Sequence, residues 1–363
     1  MCPNTGETGF EVFVRELVAS DSSSVERDED IKTGLVINWA ARTVYPIKNC
    51  VLSILKDSDA DREYYRHELL AHIPFVDSKL RTLIEENLTR LATVKSDQSG
   101  AWNQEEMEYY DRDVATEELR MAFKSKIKSQ PLWHIFIERS RYLLSHAQLE
   151  KRPKVLEVGC GNARTVAWNA PPAKTGYHYV GTDISLKRLL LAKELIPESD
   201  FIQASAFDLP FRPNTFDVAI AFGVLHHLPE PKLGLTETMA KVRAGGVLLM
   251  HEPIEKVSLL SENALPRLKK LFSSYEHSEH DNEINLDEFV ECLKGNGHQV
   301  LHSHLSGSLL RTVLASGPMA KVPFFRRRWW WNFIIGIDRL FVRTFCRKRG
   351  RLGPNSAFLV VGK

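Results

Sequence analysis

Apolar and polar positions fall into blocks of different period along the chain. Between residues 58 and 150, apolar residues recur every three or four positions in Leu69–Ile73, Leu80–Leu91 and Ala115–Leu144, which predicts helices broken by the mostly polar Lys95–Gln104. After residue 150 short apolar runs take over. Lys154–Val158, Tyr177–Asp183, Phe201–Phe211, Phe216–Phe222 and Ala244–Pro253 read as strands or strands with their loops. Helical stretches at Arg164–Trp168, Leu186–Leu195 and Lys232–Val242 separate them. Strands alternating with helices predict an α/β fold with a doubly wound parallel sheet. Farther on, Asn285–Gly295 reads as a helix with Leu286, Phe289 and Leu293 on one face, and His298–Leu305 and Ser356–Gly362 as two closing antiparallel strands. Ahead of all this, Leu35, Ile37, Tyr45, Ile47, Leu52 and Ile54 form the apolar set of a small β-rich N-terminal segment.

Composition narrows the class. The 363 residues suffice for one large domain and one or two smaller ones, and 43% hydrophobic content supports a packed core. A net charge of +2 makes nucleic acid an improbable partner for the chain as a whole. Five cysteines without framework spacing suit a reducing compartment. No basic start with an apolar stretch and no eighteen-residue uncharged apolar window is present, so the expected location is cytoplasmic.

Candidate chemistry begins at Val155-Leu156-Glu157-Val158-Gly159-Cys160-Gly161-Asn162-Ala163. Gly159 and Gly161 carry no Cβ and let backbone approach a ligand, and the helix behind them offers free N–H groups. A nicotinamide or flavin fingerprint would need a third glycine at position 164, where this chain has Arg. Asp183, at the end of the next strand, stands where a carboxylate would accept the ribose hydroxyls of an adenosine cofactor.

These motifs, in this order and spacing, make residues 153–253 resemble a class I S-adenosylmethionine-dependent methyltransferase of the type 11 group. The resemblance implies a Rossmann-like seven-stranded sheet and S-adenosylmethionine as cofactor. It implies that Gly159, Cys160 and Gly161 lie against the methionine end, that Glu157 orients the amino group, and that Asp183 and Ile184 hold the ribose. Ser205, Ala206 and Phe207 would clasp the adenine, with Phe222 also at the cofactor. The family usually carries Asp where this chain has Ser205. A neutral acceptor there weakens the adenine contact by about 1 kcal/mol.

The expected domains are a module at 1–57, a helical lead-in at 58–150, a methyltransferase core at 151–317, an amphipathic insertion at 318–350 and a last core strand at 351–363. The N-terminal module resembles a degenerate zinc ribbon of the kind fused to or partnered with methyltransferases. Cys2 remains, but Thr5, Asn38 and Ala41 stand where thiolates would be, so no metal is expected. Tyr109 or Tyr110 of the lead-in is a candidate to line the active site.

Methyl transfer to a hydroxyl requires a group that takes its proton, and histidine suits neutral pH. His226 and His227 follow the fourth core strand at the sheet's C-terminal edge; they are candidate bases, or fix their loop by bonding backbone carbonyls. Glu252, at the end of the fifth, is an alternative base or orients a substrate hydroxyl.

The insertion between the last two strands is rich in arginine and aromatics, from Phe324 through Arg349. On a helix Trp330, Phe333, Ile334, Ile337, Phe341 and Phe345 share a face, Arg339 and Arg343 fall opposite, and Asp338 lies at the border. Three readings fit: an interfacial helix on a membrane, a helix packed on the protein's own core, and RNA contact by stacking. The first makes the expected function an O-directed methyltransferase acting at a membrane surface on a lipid-like, lipid-linked or glycan acceptor. The alternative is a non-catalytic methyltransferase-fold binding or scaffold protein.

Overall fold

The computed structural model describes residues 11–17, 31–54, 59–93, 107, 133–146, 152–254, 284–306, 328–345 and 356–363. Tyr109, Tyr110, Cys2 and Thr5 lie outside the described residues. The chain divides into two compact units, one of residues 1–115, 160–163 and 179–212, the other of 116–159, 164–178 and 213–363.

The first unit opens with β1 (Glu11–Leu17), β2 (Ile31–Asn38), β3 (Thr43–Lys48) and β4 (Val51–Ser53), each antiparallel to the next. The β2–β3 turn is closed by Asn38 Oδ1, which accepts the Ala41 N–H at 2.9 Å. Helices α1 (Asp59–His72) and α2 (Ser78–Thr93) cover these strands. Leu35 and Ile37 of β2, Val44 and Tyr45 of β3, Tyr65 and Leu69 of α1, and Leu83 and Ile84 of α2 make one buried cluster. The strands before residue 57 and the helices after it therefore share a core. Their sequence periods differ because a strand and a helix present the same apolar face with spacings of two and of three to four.

The other elements, in chain order, are α3 (Trp133–His146), β5 (Lys154–Val158), α4 (Arg164–Asn169), α5 (Pro172–Thr175), β6 (His178–Asp183), α6 (Leu186–Leu195) and β7 (Asp200–Gln203). They continue with β8 (Phe216–Phe222), α7 (Pro231–Lys241), β9 (Val242–Pro253), α8 (Leu286–Gly295), β10 (Gln299–Ser306), α9 (Arg328–Phe345) and β11 (Ser356–Gly362). In the first unit β7 lies between β4 and β6, parallel to both. In the second, β5, β8 and β9 are parallel, β11 is antiparallel to β9, and β10 to β11. Eleven strands stand among the described residues against the seven expected, four of them from residues 11–53.

Every residue of Val218–Phe222, Val247–Glu252 and Ala357–Val361 is buried. Strands without polar alternation are covered on both faces, as a sheet wound by helices requires. Ser185 caps α6, its Oγ accepting the Arg188 N–H at 3.2 Å, and Asn285 caps α8.

Helix α9 packs on α3 and β10 within the second unit. Arg141 of α3 donates to Asn332 Oδ1 at 2.5 Å, and buried Glu138 lies 3.4 Å from Arg339 and 3.6 Å from His304. Ile334, Ile335 and Asp338 are each 1% exposed, so they mark the inward side. Asp338 thus faces the protein and is not at a border, and Ile334, read on one face with Phe333, lies inward while Phe333 lies outward. The residues turned outward are Trp329, Phe333, Gly336 and Leu340, one stripe at helical spacing. Among the described residues no helix is long and apolar enough to cross a membrane.

Candidate functional site

In the first unit the site is a glycine turn braced by an acid. Gly161 (φ +55°) and Ala163 (φ +53°) both take left-handed backbone, as does the preceding Gly159 (φ +64°). Residues other than glycine adopt this backbone only with strain, which is why bare positions stand at 159 and 161. Ala163 is fully buried, so the small residue found in place of a third glycine fills space that a larger one would overfill. The turn closes through the Ala163 N–H to Cys160 O bond at 2.8 Å and hangs on β6 through the Cys160 N–H to Thr182 O bond at 2.9 Å. The Cys160 side chain packs over bare Gly181, where an added Cβ would come within 2.8 Å of Sγ.

Asp183 ends β6 with its carboxylate turned to this turn. Oδ2 accepts the Gly161 N–H at 2.7 Å, and Oδ1 accepts the Ser185 N–H at 2.9 Å. These bonds fix the orientation of the carboxylate. At Gly161 an added Cβ would stand 3.6 Å from Arg188 Nη1, so the Arg188 side chain lies in ordinary contact with that bare position. Ile184 and Ser205 are half-buried and Ala206 is buried. Ser205 Oγ accepts the N–H of half-buried Phe207 at 3.3 Å.

In the second unit the site is the loop after β8 and the acid that holds it. Glu252 of β9 is wholly buried. Its Oε1 accepts the N–H groups of Gly223, Val224 and Leu225 at 3.1, 3.0 and 3.1 Å, and its Oε2 lies 2.6 Å from His226 Nδ1. Burial alone would raise the Glu252 carboxyl. The hydrogen bond and charge of His226, with the Val224 and Leu225 N–H groups, outweigh burial and hold it below the usual carboxylate range. An ionised carboxylate only accepts, so His226 Nδ1 is the donor to Oε2. Glu252, expected as an alternative base or as an orienter of a substrate hydroxyl, is buried and bonded to the His226 ring and to the loop after β8. His227 is half-buried and its ring stands 3.8 Å from that of His226.

Glu157 and Phe222 are both buried in this unit. An added Cβ at Gly159 would come within 2.2 Å of Val224 Cγ2, so the loop after β8 closes over that bare position. Three residues, two in this unit and one in the first, were not among the sequence candidates. Val224 is one. Arg139 of α3 is another: its guanidinium lies 5.3 Å from the Phe222 ring centre, and its Nε donates to His251 Nδ1 at 2.9 Å. The third is Gln203 of β7, whose signal was an amide inside a buried strand. Among the described residues no group of three or more His, Cys, Asp or Glu could hold a metal.

With this geometry in place, comparison with known proteins finds a likeness over part of the chain. Residues 156–250 match the family model described as a methyltransferase domain. Over that stretch the chain is similar to a methyltransferase domain. Among relatives, a demethylmenaquinone methyltransferase from Renibacterium salmoninarum is 38% identical over 27% of this chain and 40% of its own length. A protein of the same name from Paenarthrobacter aurescens is 32% identical over 34% of this chain and 44% of its own. The chain thus spans less than half the length of either relative. Among solved structures, an S-adenosylmethionine-dependent methyltransferase from Archaeoglobus fulgidus is 13% identical, with a TM-score of 0.44, covering 67% of this chain and 99% of that one.

Proposed function

We propose that this chain is an S-adenosylmethionine-dependent methyltransferase that methylates an oxygen of a lipid-like or lipid-linked acceptor at a membrane surface. The observation that carries the reading is the brace between Asp183 and Gly161, which joins a bare-backbone turn to a ribose-type acid inside a methyltransferase domain. The residues present fit the cofactor. Asp183, half-buried and held by the Gly161 and Ser185 N–H groups, is assigned to the ribose hydroxyls, and Glu157 to the amino group. Ser205-Ala206-Phe207 and Ile184 are assigned to the adenosine and Phe222 to its surroundings. Bound S-adenosylmethionine would supply a methyl group activated by its positive sulfur.

The chain's own part is to bind, orient and move a proton. Glu252 fixes the His226 ring through Nδ1, which leaves Nε2 to take the proton of an acceptor hydroxyl. The same carboxylate pins the loop from Gly223 to Leu225, so the base sits on rigid backbone. The outward stripe of α9 supports the membrane part: Trp329, Phe333 and Leu340 are 49, 53 and 66% exposed. The names of the two relatives contain a demethylated menaquinone, which supports a small apolar acceptor. Ser205 favours the non-catalytic alternative, because a neutral oxygen already engaged with Phe207 grips adenine less firmly, and so do the thiolates missing at Thr5, Asn38 and Ala41.

Incubation with methyl-labelled S-adenosylmethionine and a membrane lipid extract tests this. Label should enter the organic phase, and His226→Ala should slow transfer about 10²- to 10⁴-fold with cofactor affinity retained. Undiminished transfer by His226→Ala removes the base assignment, and an unlabelled organic phase removes the lipid acceptor.

A further inference from the structure

One row of residues crosses three strands of the first unit. Ser53 of β4 is the register partner of Gln203 in β7, and Gln203 is the partner of Asp183 in β6. Ser53 is fully buried and Gln203 is 1% exposed. The Gln203 amide is saturated. Its Oε1 accepts from Ser53 Oγ at 2.5 Å, and its Nε2 donates to Asp61 Oδ1 of α1 at 2.9 Å and to the Ile184 carbonyl at 3.0 Å. Backbone bonds reinforce the row, from Ile54 N–H to Gln203 O and from Ala204 N–H to Asp183 O, each 3.1 Å.

An extra β-segment and its covering helix need only pack to be stable. Here both are also wired through one amide to the residue following Asp183. A buried amide that lost either partner would leave polar atoms unsatisfied, so the network holds one arrangement. We infer that Gln203 is a positioning residue: through it, Ser53 of β4 and Asp61 of α1 set the backbone at Ile184, and thereby the carboxylate that braces Gly161. The N-terminal segment thus acts as a fixed intramolecular clamp on the cofactor-binding loop. The cofactor half of this inference rests on the proposed function; the positioning half does not.

Two readouts on the full chain separate the halves. Hydrogen exchange without cofactor, read in peptides covering 160–162 and 184–186, reports the amides that Asp183 holds. Gln203→Leu and Asp61→Ala should speed that exchange about tenfold, the worth of one buried hydrogen bond. Asp61→Asn, which keeps an acceptor oxygen, should behave as wild type, and Ser53→Ala should show a smaller effect. Leu35→Ala, a core change outside the row, should lower the melting temperature and leave these peptides unchanged. In calorimetry Gln203→Leu should weaken S-adenosylmethionine binding about tenfold. Unchanged exchange in Gln203→Leu and Asp61→Ala overturns the inference, as does an equal acceleration by Leu35→Ala. Faster exchange in the row variants of a chain that binds no S-adenosylmethionine upholds the positioning and overturns the cofactor reading.

Discussion

Glu252 holds four hydrogen-bond partners from a position with no solvent contact, and that makes it the most consequential single side chain of the second unit. Its charge is stabilising where it lies because four donors replace the water it lost. The carboxyl titrates lower in the fold than in the unfolded chain, whose value is near 4.3. Its contribution to stability is therefore complete at neutral pH. It begins to fall as pH drops below the unfolded value and is gone below the folded one. Glu252→Gln keeps the shape and removes the charge, and should cost about 1–3 kcal/mol at pH 7. Urea unfolding at pH 7 and near pH 3.5 checks this: the gap between wild type and variant should shrink in acid. A gap of constant size would mean that the charge contributes nothing. The same residue shows where sequence runs out. A carboxylate at the end of a strand reads identically whether it faces a substrate or a neighbouring loop, and only the fold brings Gly223, Val224 and Leu225 to it.

Helix α9 carries the argument at the scale of an element. It is apolar nearly all the way round from Trp329 to Ile337, so its periodicity predicts a helix but not which side meets the protein. Packing decides that: Ile334, Ile335 and Asp338 turn inward, and Trp329, Phe333 and Leu340 outward. The sequence also places Arg326-Arg327-Arg328 at its start and Arg347-Lys348-Arg349 just past its end. An exposed aromatic stripe with basic ends suits an anionic lipid surface. Wild type should sediment with vesicles containing anionic lipid and be released by high salt. Replacing Trp329, Phe333 and Leu340 together by Ser should abolish sedimentation and leave the fold intact, because these side chains are already half or more exposed. Equal sedimentation of the two proteins would remove the membrane from the account. By contrast, β4 was hidden for want of length. Three residues, Val51–Ser53, have no measurable period, yet they align Gln203 with the N-terminal segment.

Across the whole molecule, legibility follows burial. The strands after residue 150 could be read because strands covered on both faces are uninterrupted apolar runs, as in Val218–Phe222 and Val247–Met250. The glycine turn was readable because Gly159 and Gly161 occupy backbone that other residues strain to adopt. What bonds to the turn was not, since Val224 against Gly159 and Asp183 against Gly161 are contacts between distant parts of the chain. The account rests on Asp183 presenting its carboxylate to an adenosine-bearing cofactor at that turn. Titration calorimetry of the full chain with S-adenosylmethionine, wild type beside Asp183→Ala, tests this most directly. Saturable binding by wild type, weakened about tenfold or more by the substitution, is the predicted result. No heat at millimolar cofactor, or equal affinity in the two proteins, would contradict it.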